Sequence, residues 1–544
     1  MKGIDAVASI LKREGVEYLF CFPNNSLIDA CAKIGIRPIL ARTERTLINM
    51  ADGYSRTTHG ERLGVAVVQA GPGSENAFGG VAQAYADSVP ILLLPGGIAR
   101  RYQDLPPTFQ ATRQYGGVTK WVGQMNFADR APAMMQRAFS LLRMGHPRPV
   151  MLEIPTDVAD EAIDDSFAYQ PPRRVRSAGG PDEIAAAAQA LLAAEHPILH
   201  VGQGALYAQA TEELIAFAEL LNVPVMTTMA GKSAFPEDHP LSLGAGGRTV
   251  SGMVKHFLAK ADLVFGLGCS FSIEFSTLIP CGKVIIQNSI DETDINKHYT
   301  IDHAIIGDCK LVLRQLIEAV KQQLGEHGRR DRTDVAQEIR TVKQNWLAER
   351  MPKLTSDEIP INPYRVIWDL MQTIDRANTI VTHDSGNPRD QLVPFYEAIA
   401  PGGYIGWGKS TQLGYGLGLI MGAKLAAPEK LCVNVMGDGA FGMAGMDFET
   451  AARERIPILT ILLNNSALGG YEKLMPVATE RYRLKFLSGE YAKVAEGLGG
   501  YSERVEQPAD IIHAIQRAQE QIAAGKPALL EVITREEGAF SMLG

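Results

Sequence analysis

Short β-branched runs alternate with segments of helical period along the whole chain, and nothing else in the sequence restricts the fold as much. Strands that follow one another through a helix pair in parallel, because only a crossover of about a dozen residues or more returns the chain to the same direction. Residues 64–69, 91–94 and 150–154 read as buried strands. A helix is predicted over 75–87, and another around Leu47, Met50, Ala51 and Tyr54. A polar stretch after Pro155 reads as a linker, and strand candidates resume at 198–201, 223–227, 263–267 and 284–287. A charged stretch from Gly325 and a polar one near 352–362 read as the next linker, ahead of strands at 380–382, 432–435, 458–463 and 529–533. The prediction is an α/β chain of three doubly wound parallel-sheet domains, at 1–170, 185–330 and 355–544.

Chemistry concentrates in residues 431–470. An apolar strand ends in Gly437-Asp438-Gly439, a helix follows, and a second apolar strand ends in Asn464-Asn465. Both strand ends emerge at the carboxyl edge of a parallel sheet, where α/β folds bind ligands. A carboxylate, an amide oxygen and a nearby carbonyl suit Mg²⁺, which takes oxygen ligands and keeps positions for phosphate and water. Flanking glycines let backbone N–H groups approach phosphates, as does a helix N-terminus. Alone, Gly-Asp-Gly would be no more than a turn. The strand–helix–strand frame and the paired asparagines favour the functional reading.

Composition narrows the rest. Lys+Arg 53 against Asp+Glu 61 gives a net charge of −8, without the basic footprint of a nucleic-acid binder. No apolar run reaches the roughly 20 residues of a membrane span, and charges interrupt the start of the chain where a secretory leader would be apolar. Six cysteines form no CxxC pattern, so reduced thiols and a cytoplasmic setting are expected. The 53 glycines are in excess, which suggests many tight turns or places where the backbone approaches a ligand closely. Gly71, Gly73, Gly386, the run from Gly406 through Gly418, Gly437 and Gly439 fall in segments whose resemblance to a known family implies that they line a ligand.

The metal segment resembles that of thiamine diphosphate (ThDP) enzymes of the acetohydroxyacid synthase and pyruvate decarboxylase group, and the resemblance extends over essentially the whole chain. It implies that Asp438, Asn465 and the Ala467 carbonyl are Mg²⁺ ligands, with Gly437, Gly439 and Ala440 beside the diphosphate. Residues 41–56 (ARTERTLINMADGYSR) resemble the segment whose glutamate activates the cofactor, which makes Glu44 the catalytic acid. The sequence FQATRQYGGVTK places Phe109, Gln110 and Lys120 where acetohydroxyacid synthases carry Phe-Gln and Thr-Lys. The glycine-rich segment 407–423 is similar to the one beneath the cofactor, with Thr411 lining it and Leu413 at the bulky position that bends the thiamine rings. Residues 383–391 resemble a diphosphate-touching segment, which brings in Gly386 and Asn387. Residues 223–244 are also very similar to acetohydroxyacid synthases, away from the chemistry.

The chain also departs from that pattern. Tyr85-Ala86-Asp87-Ser88-Val89-Pro90 stands where simple decarboxylases carry two histidines, which tilts the expectation from aldehyde release towards ligation. Asn25, in Pro23-Asn24-Asn25, either offers an amide to substrate or caps a turn. Asn387-Pro388 replaces Gln-His, Leu474 replaces a substrate-selecting tryptophan, and Thr43 replaces the histidine before the glutamate. Acetohydroxyacid synthases bind FAD in the middle domain. The loops 244–252 and 266–274 have the right kind of glycines, but Cys269-Ser270-Phe271 lacks the family's arginine, so FAD is not favoured.

The reading is therefore a ThDP- and Mg²⁺-dependent carboligase or lyase acting on a small 2-oxo acid, with a second carbonyl compound as the other substrate. It is expected to be a homodimer or homotetramer with active sites at subunit interfaces. A non-ligating 2-oxo acid decarboxylase and a 2-hydroxyacyl-CoA lyase are the alternatives, and a non-catalytic nucleotide-binding protein is the alternative from another class.

Overall fold

A computed structural model describes residues 1–273, 276–329, 334–538 and 541. The described residues form three six-stranded sheets, and every strand pair within them is parallel. The first runs β2-β1-β3-β4-β6-β5, from β1 (Tyr18–Cys21), β2 (Arg37–Leu40), β3 (Gly64–Val68), β4 (Ile91–Gly97), β5 (Trp121–Gln124) and β6 (Val150–Pro155). The middle sheet runs β12-β11-β10-β7-β8-β9, from β7 (Pro197–Val201), β8 (Val225–Thr228), β9 (Ser242–Gly246), β10 (Leu263–Leu267), β11 (Val284–Ser289) and β12 (His303–Ile306). The third repeats the first order as β14-β13-β15-β16-β18-β17, from β13 (Thr379–His383), β14 (Tyr404–Ile405), β15 (Leu431–Gly437), β16 (Leu459–Asn464), β17 (Tyr501–Val505) and β18 (Ala528–Ile533).

The first and third sheets reverse direction between their first and third strands. The middle sheet has the Rossmann order, which reverses between its first strand, β7, and its fourth, β10. Ligand clefts are expected beyond the carboxyl ends at these points.

Two helices join the outer domains. Glu44–Thr57 and Tyr415–Ala426 cross so closely that a methyl group on Gly53 would lie 1.9 Å from the Leu419 carbonyl oxygen, and one on Gly422 would lie 2.0 Å from that of Met50. This corrects part of the glycine reading. Gly418 packs against Thr46 and Asn49, and Gly406 against the Met229 carbonyl; neither lines a cofactor cleft.

The polar stretch near 352–362, read as linker, begins as the end of the helix Val335–Leu354, whose Trp346 stacks on Phe395 at 4.8 Å. Residues 330–333 of the charged stretch and Glu274 of the middle-domain loop lie outside the described residues. All six cysteines are free thiols, and no helix among the described residues is long and apolar enough to cross a membrane.

Candidate active site

The third sheet opens on a cleft enclosing about 820 Å³ of empty space. Loops after β13, β15, β16 and β18 line it, contributing Gly386, Asn387, Gly437, Asp438, Gly439, Ala440, Asn465 and Ala467. Thr411 and Leu413 reach it from the segment between β14 and the helix Tyr415–Ala426. Ten expected residues from four separate stretches thus meet in one place.

The strand β15 delivers Asp438 as the first residue of the helix Asp438–Ala444. One carboxylate oxygen accepts from the Gly439 N–H at 2.8 Å; the other is buried and has no hydrogen-bond partner. Burial pushes this carboxyl up to about 6, while the N–H groups of Gly439, Ser466 and Ala467 pull the other way. An unpartnered buried oxygen is costly unless something positive sits against it. A cation held between Asp438, Asn465 and the Ala467 carbonyl fits that oxygen, and the donors are the hard oxygens Mg²⁺ takes.

The two asparagines divide their work. Asn464 is buried, donating to Glu531 at 2.7 Å and accepting from the Ser466 N–H at 3.0 Å, so it shapes the loop from within. Asn465 is half-buried in the cleft wall, and its oxygen accepts from the Ala467 N–H at 3.0 Å. Opposite, Gly386 holds φ +88, which a residue with a side chain adopts only under strain, and the helix Asn387–Phe395 starts there with its N-terminus at the cleft. Asp384 fixes the glycine-rich segment by accepting from Gly414 and Gly416, both at 2.9 Å.

Glu44, Asn25 and Gln110 do not line this cleft within one chain. Glu44 is 6% exposed at the first turn of its helix and accepts from Asn76 at 3.3 Å. The preceding Thr43 caps the helix and also bonds Asp447 of the third domain at 3.0 Å. Asn25 donates to the Val68 carbonyl at 3.0 Å and accepts from the Leu27 N–H at 3.0 Å, the behaviour of a turn residue at a strand end. Gln110 is half-buried ahead of the short helix Ala111–Gln114. His383 is fully buried, stacks on Trp407 at 5.2 Å and has its pKa pushed down to about 3 by burial, so it stays neutral and away from the cleft.

A second cleft, about 1200 Å³ of empty space, lies at the switch point of the middle sheet. Gly202, Gln203 and Gly204 after β7 and residues 268–272 after β10 line it, and His200 stacks there on Phe271 at 5.7 Å with a buried, unpartnered Nδ1. The loop 244–252, whose glycines are of the right kind for a ligand loop, contributes nothing to this lining. The Gly-Gln-Gly that follows β7 is the signal that reading missed.

Comparison with known proteins agrees with this geometry. Residues 1–122, 184–316 and 384–532 match the N-terminal TPP binding, central and C-terminal TPP binding domains of thiamine pyrophosphate enzymes. A probable acetolactate synthase large subunit of Methanocaldococcus jannaschii is 30% identical over 100% of this chain and 93% of its own length. The acetolactate synthase large subunit of Haemophilus influenzae is 30% identical over 95% of the chain and 92% of its own length. A glyoxylate carboligase of Escherichia coli is 30% identical over 100% and 94%. The chain belongs to the thiamine diphosphate-dependent enzymes, in the acetolactate synthase-like group.

Proposed function

We propose that this enzyme is Mg²⁺-dependent and joins a small 2-oxo acid, after loss of CO₂, to a second carbonyl compound. The observation that carries the metal is the buried, unpartnered Asp438 oxygen facing Asn465 and Ala467. When bound, thiamine diphosphate supplies the acidic ring carbon and the electron sink for breaking and making bonds next to a carbonyl. The chain's own part is to hold the diphosphate end at Gly386, Asn387 and residues 437–440, and to support the rings from Leu413. Glu44 would fix the proton on the aminopyrimidine, acting as the general acid.

Ligation over release is supported by what stands around the cleft. No histidine is among its described lining residues, and Asp87 and Ser88, in the stretch that stands where decarboxylases carry two histidines, are committed elsewhere in the chain. Because Glu44 does not share a cleft with Asp438 within one chain, the site is read as forming between two copies. The Rossmann-order middle domain and its cleft are of a kind that takes a nucleotide. FAD is the candidate raised by the resemblance to acetohydroxyacid synthases, and the loop Cys269-Ser270-Phe271 weighs against it by bringing no arginine. The visible spectrum of the purified protein separates the two.

The test is product analysis of the enzyme loaded with thiamine diphosphate and Mg²⁺ on a panel of 2-oxo acids, with and without added aldehydes. A chiral hydroxyketone with CO₂ is expected. Aldehyde as the sole product would make the enzyme a decarboxylase instead.

A further inference from the structure

Asp87 ends the helix Pro72–Ala86 and is 1% exposed, yet it faces another domain. Its carboxylate accepts from the backbone N–H groups of Gly408 at 3.1 Å and Lys409 at 3.0 Å, at the start of the segment that carries Thr411 and Leu413 to the cofactor cleft. Gln83, one turn earlier, donates to Asp87 at 2.6 Å, and its own oxygen accepts from the Gln412 N–H at 3.1 Å. Arg56 completes the group, lying 3.6 Å from Asp87 and donating to the Gly406 carbonyl at 3.1 Å. Side chains of the first domain thus grip the backbone at 406, 408, 409 and 412.

That backbone needs a grip. Gly408 stands at φ +127 and Thr411 at φ +52, and the threonine conformation costs energy that neighbours must offset. Asp384 ties the far end through Gly414 and Gly416. At the near end, among the described residues, its own domain holds it through the buried Trp407, which donates to the His383 carbonyl at 2.8 Å.

We propose that Asp87, with Gln83, is a positioning pair for the cofactor, setting the 408–412 backbone and through it the placement of Thr411 and Leu413. This rests on the thiamine diphosphate reading of the cleft. It gives Asp87 a different task from the histidines that decarboxylases carry in this stretch. Its oxygens are taken by two N–H groups, an amide and a guanidinium, so it handles no proton of the reaction.

The test uses full-length Asp87→Asn and, separately, Gln83→Leu, which leaves the Asp87–Arg56 pair intact. Three quantities are read: thiamine diphosphate affinity in excess Mg²⁺ by titration of tryptophan fluorescence, melting of the cofactor-free protein, and the ratio of ligated product to aldehyde. Thiamine diphosphate Kd is expected to rise about tenfold or more in Asp87→Asn and about threefold in Gln83→Leu, from lost hydrogen bonds to the loop. At saturating cofactor, the product ratio and the KM for the 2-oxo acid should stay at wild-type values. Unchanged Kd in both variants overturns the proposal, as does a Kd loss fully matched by loss of cofactor-free stability. A shifted product ratio with unchanged Kd overturns it in favour of proton handling by Asp87. Failure of the wild type to bind thiamine diphosphate would instead overturn the reading of the cleft.

Discussion

Lys120 donates to the carbonyl oxygen of Leu141 at 2.8 Å, and the same ammonium reaches the carbonyls of Met144 and His146. These lie at the end of the helix Ala131–Arg143, where carbonyls have no partner within the helix. A residue whose surrounding motif points to the active site is therefore a helix cap. Lys120→Met, which keeps the apolar stem, should cost about 1–3 kcal/mol of stability. It should leave kcat and KM unchanged. Chemical denaturation and steady-state kinetics on the same preparation check both halves, and a large kcat loss would return Lys120 to the chemistry.

Leu413 is half-buried at the edge of the cofactor cleft and packs on the core shared by the outer domains. Its bulk is what matters if it shapes the cofactor from below. Leu413→Ala should lower kcat by about tenfold or more through lost positioning, with thiamine diphosphate still bound. Leu413→Met, close in volume, should stay near wild type. Equal effects of the two would mean that bulk at this position plays no part.

The sheets were legible at every interior strand except β1, Tyr18–Cys21, which lies between β2 and β3. Eleven strands show as apolar runs, and six of the seven that do not are the six sheet edges. Edge strands such as Arg37–Leu40 and Tyr501–Val505 are part-exposed and carry charges, so no apolar run marks them. At the site, a contiguous motif such as Gly437-Asp438-Gly439 could be read because neighbours in sequence stay neighbours in space. The division between Asn464 and Asn465 could not, since it depends on Glu531 lying on the next strand. Nor could the hold of Asp87 on Gly408, which spans two domains.

Asp384 carries a pH signature. Burial raises its carboxyl from an ordinary 3.8 to about 6, although it accepts from Gly414, Gly416 and Ser385. A folded pKa above the unfolded one means the folded state holds the proton more tightly between pH 4 and 6. Stability from this group is complete below pH 4 and is lost as pH rises through 6, by about 3 kcal/mol at most. Cofactor-free wild type should therefore lose more stability between pH 4 and 7 than Asp384→Asn does. Denaturation midpoints across that range test it, and parallel curves for the two proteins would reject the assignment.

Glu44 and Asp438 offer the sharpest test of how the site is assembled. Glu44→Gln should bind thiamine diphosphate but turn over about a hundredfold or more slowly, having lost its acid. Asp438→Asn should lose Mg²⁺-dependent cofactor binding. If a site took both residues from one chain, mixing the variants would restore nothing, since every chain carries one defect. If a site takes Glu44 from one copy and Asp438 from the other, half the randomly formed dimers are mixed, and each has one of its two sites intact. Refolded or co-expressed mixtures should then recover about a quarter of wild-type activity, as two-fold pairing requires. Activity no higher than that of the separate variants would place the whole site within a single chain.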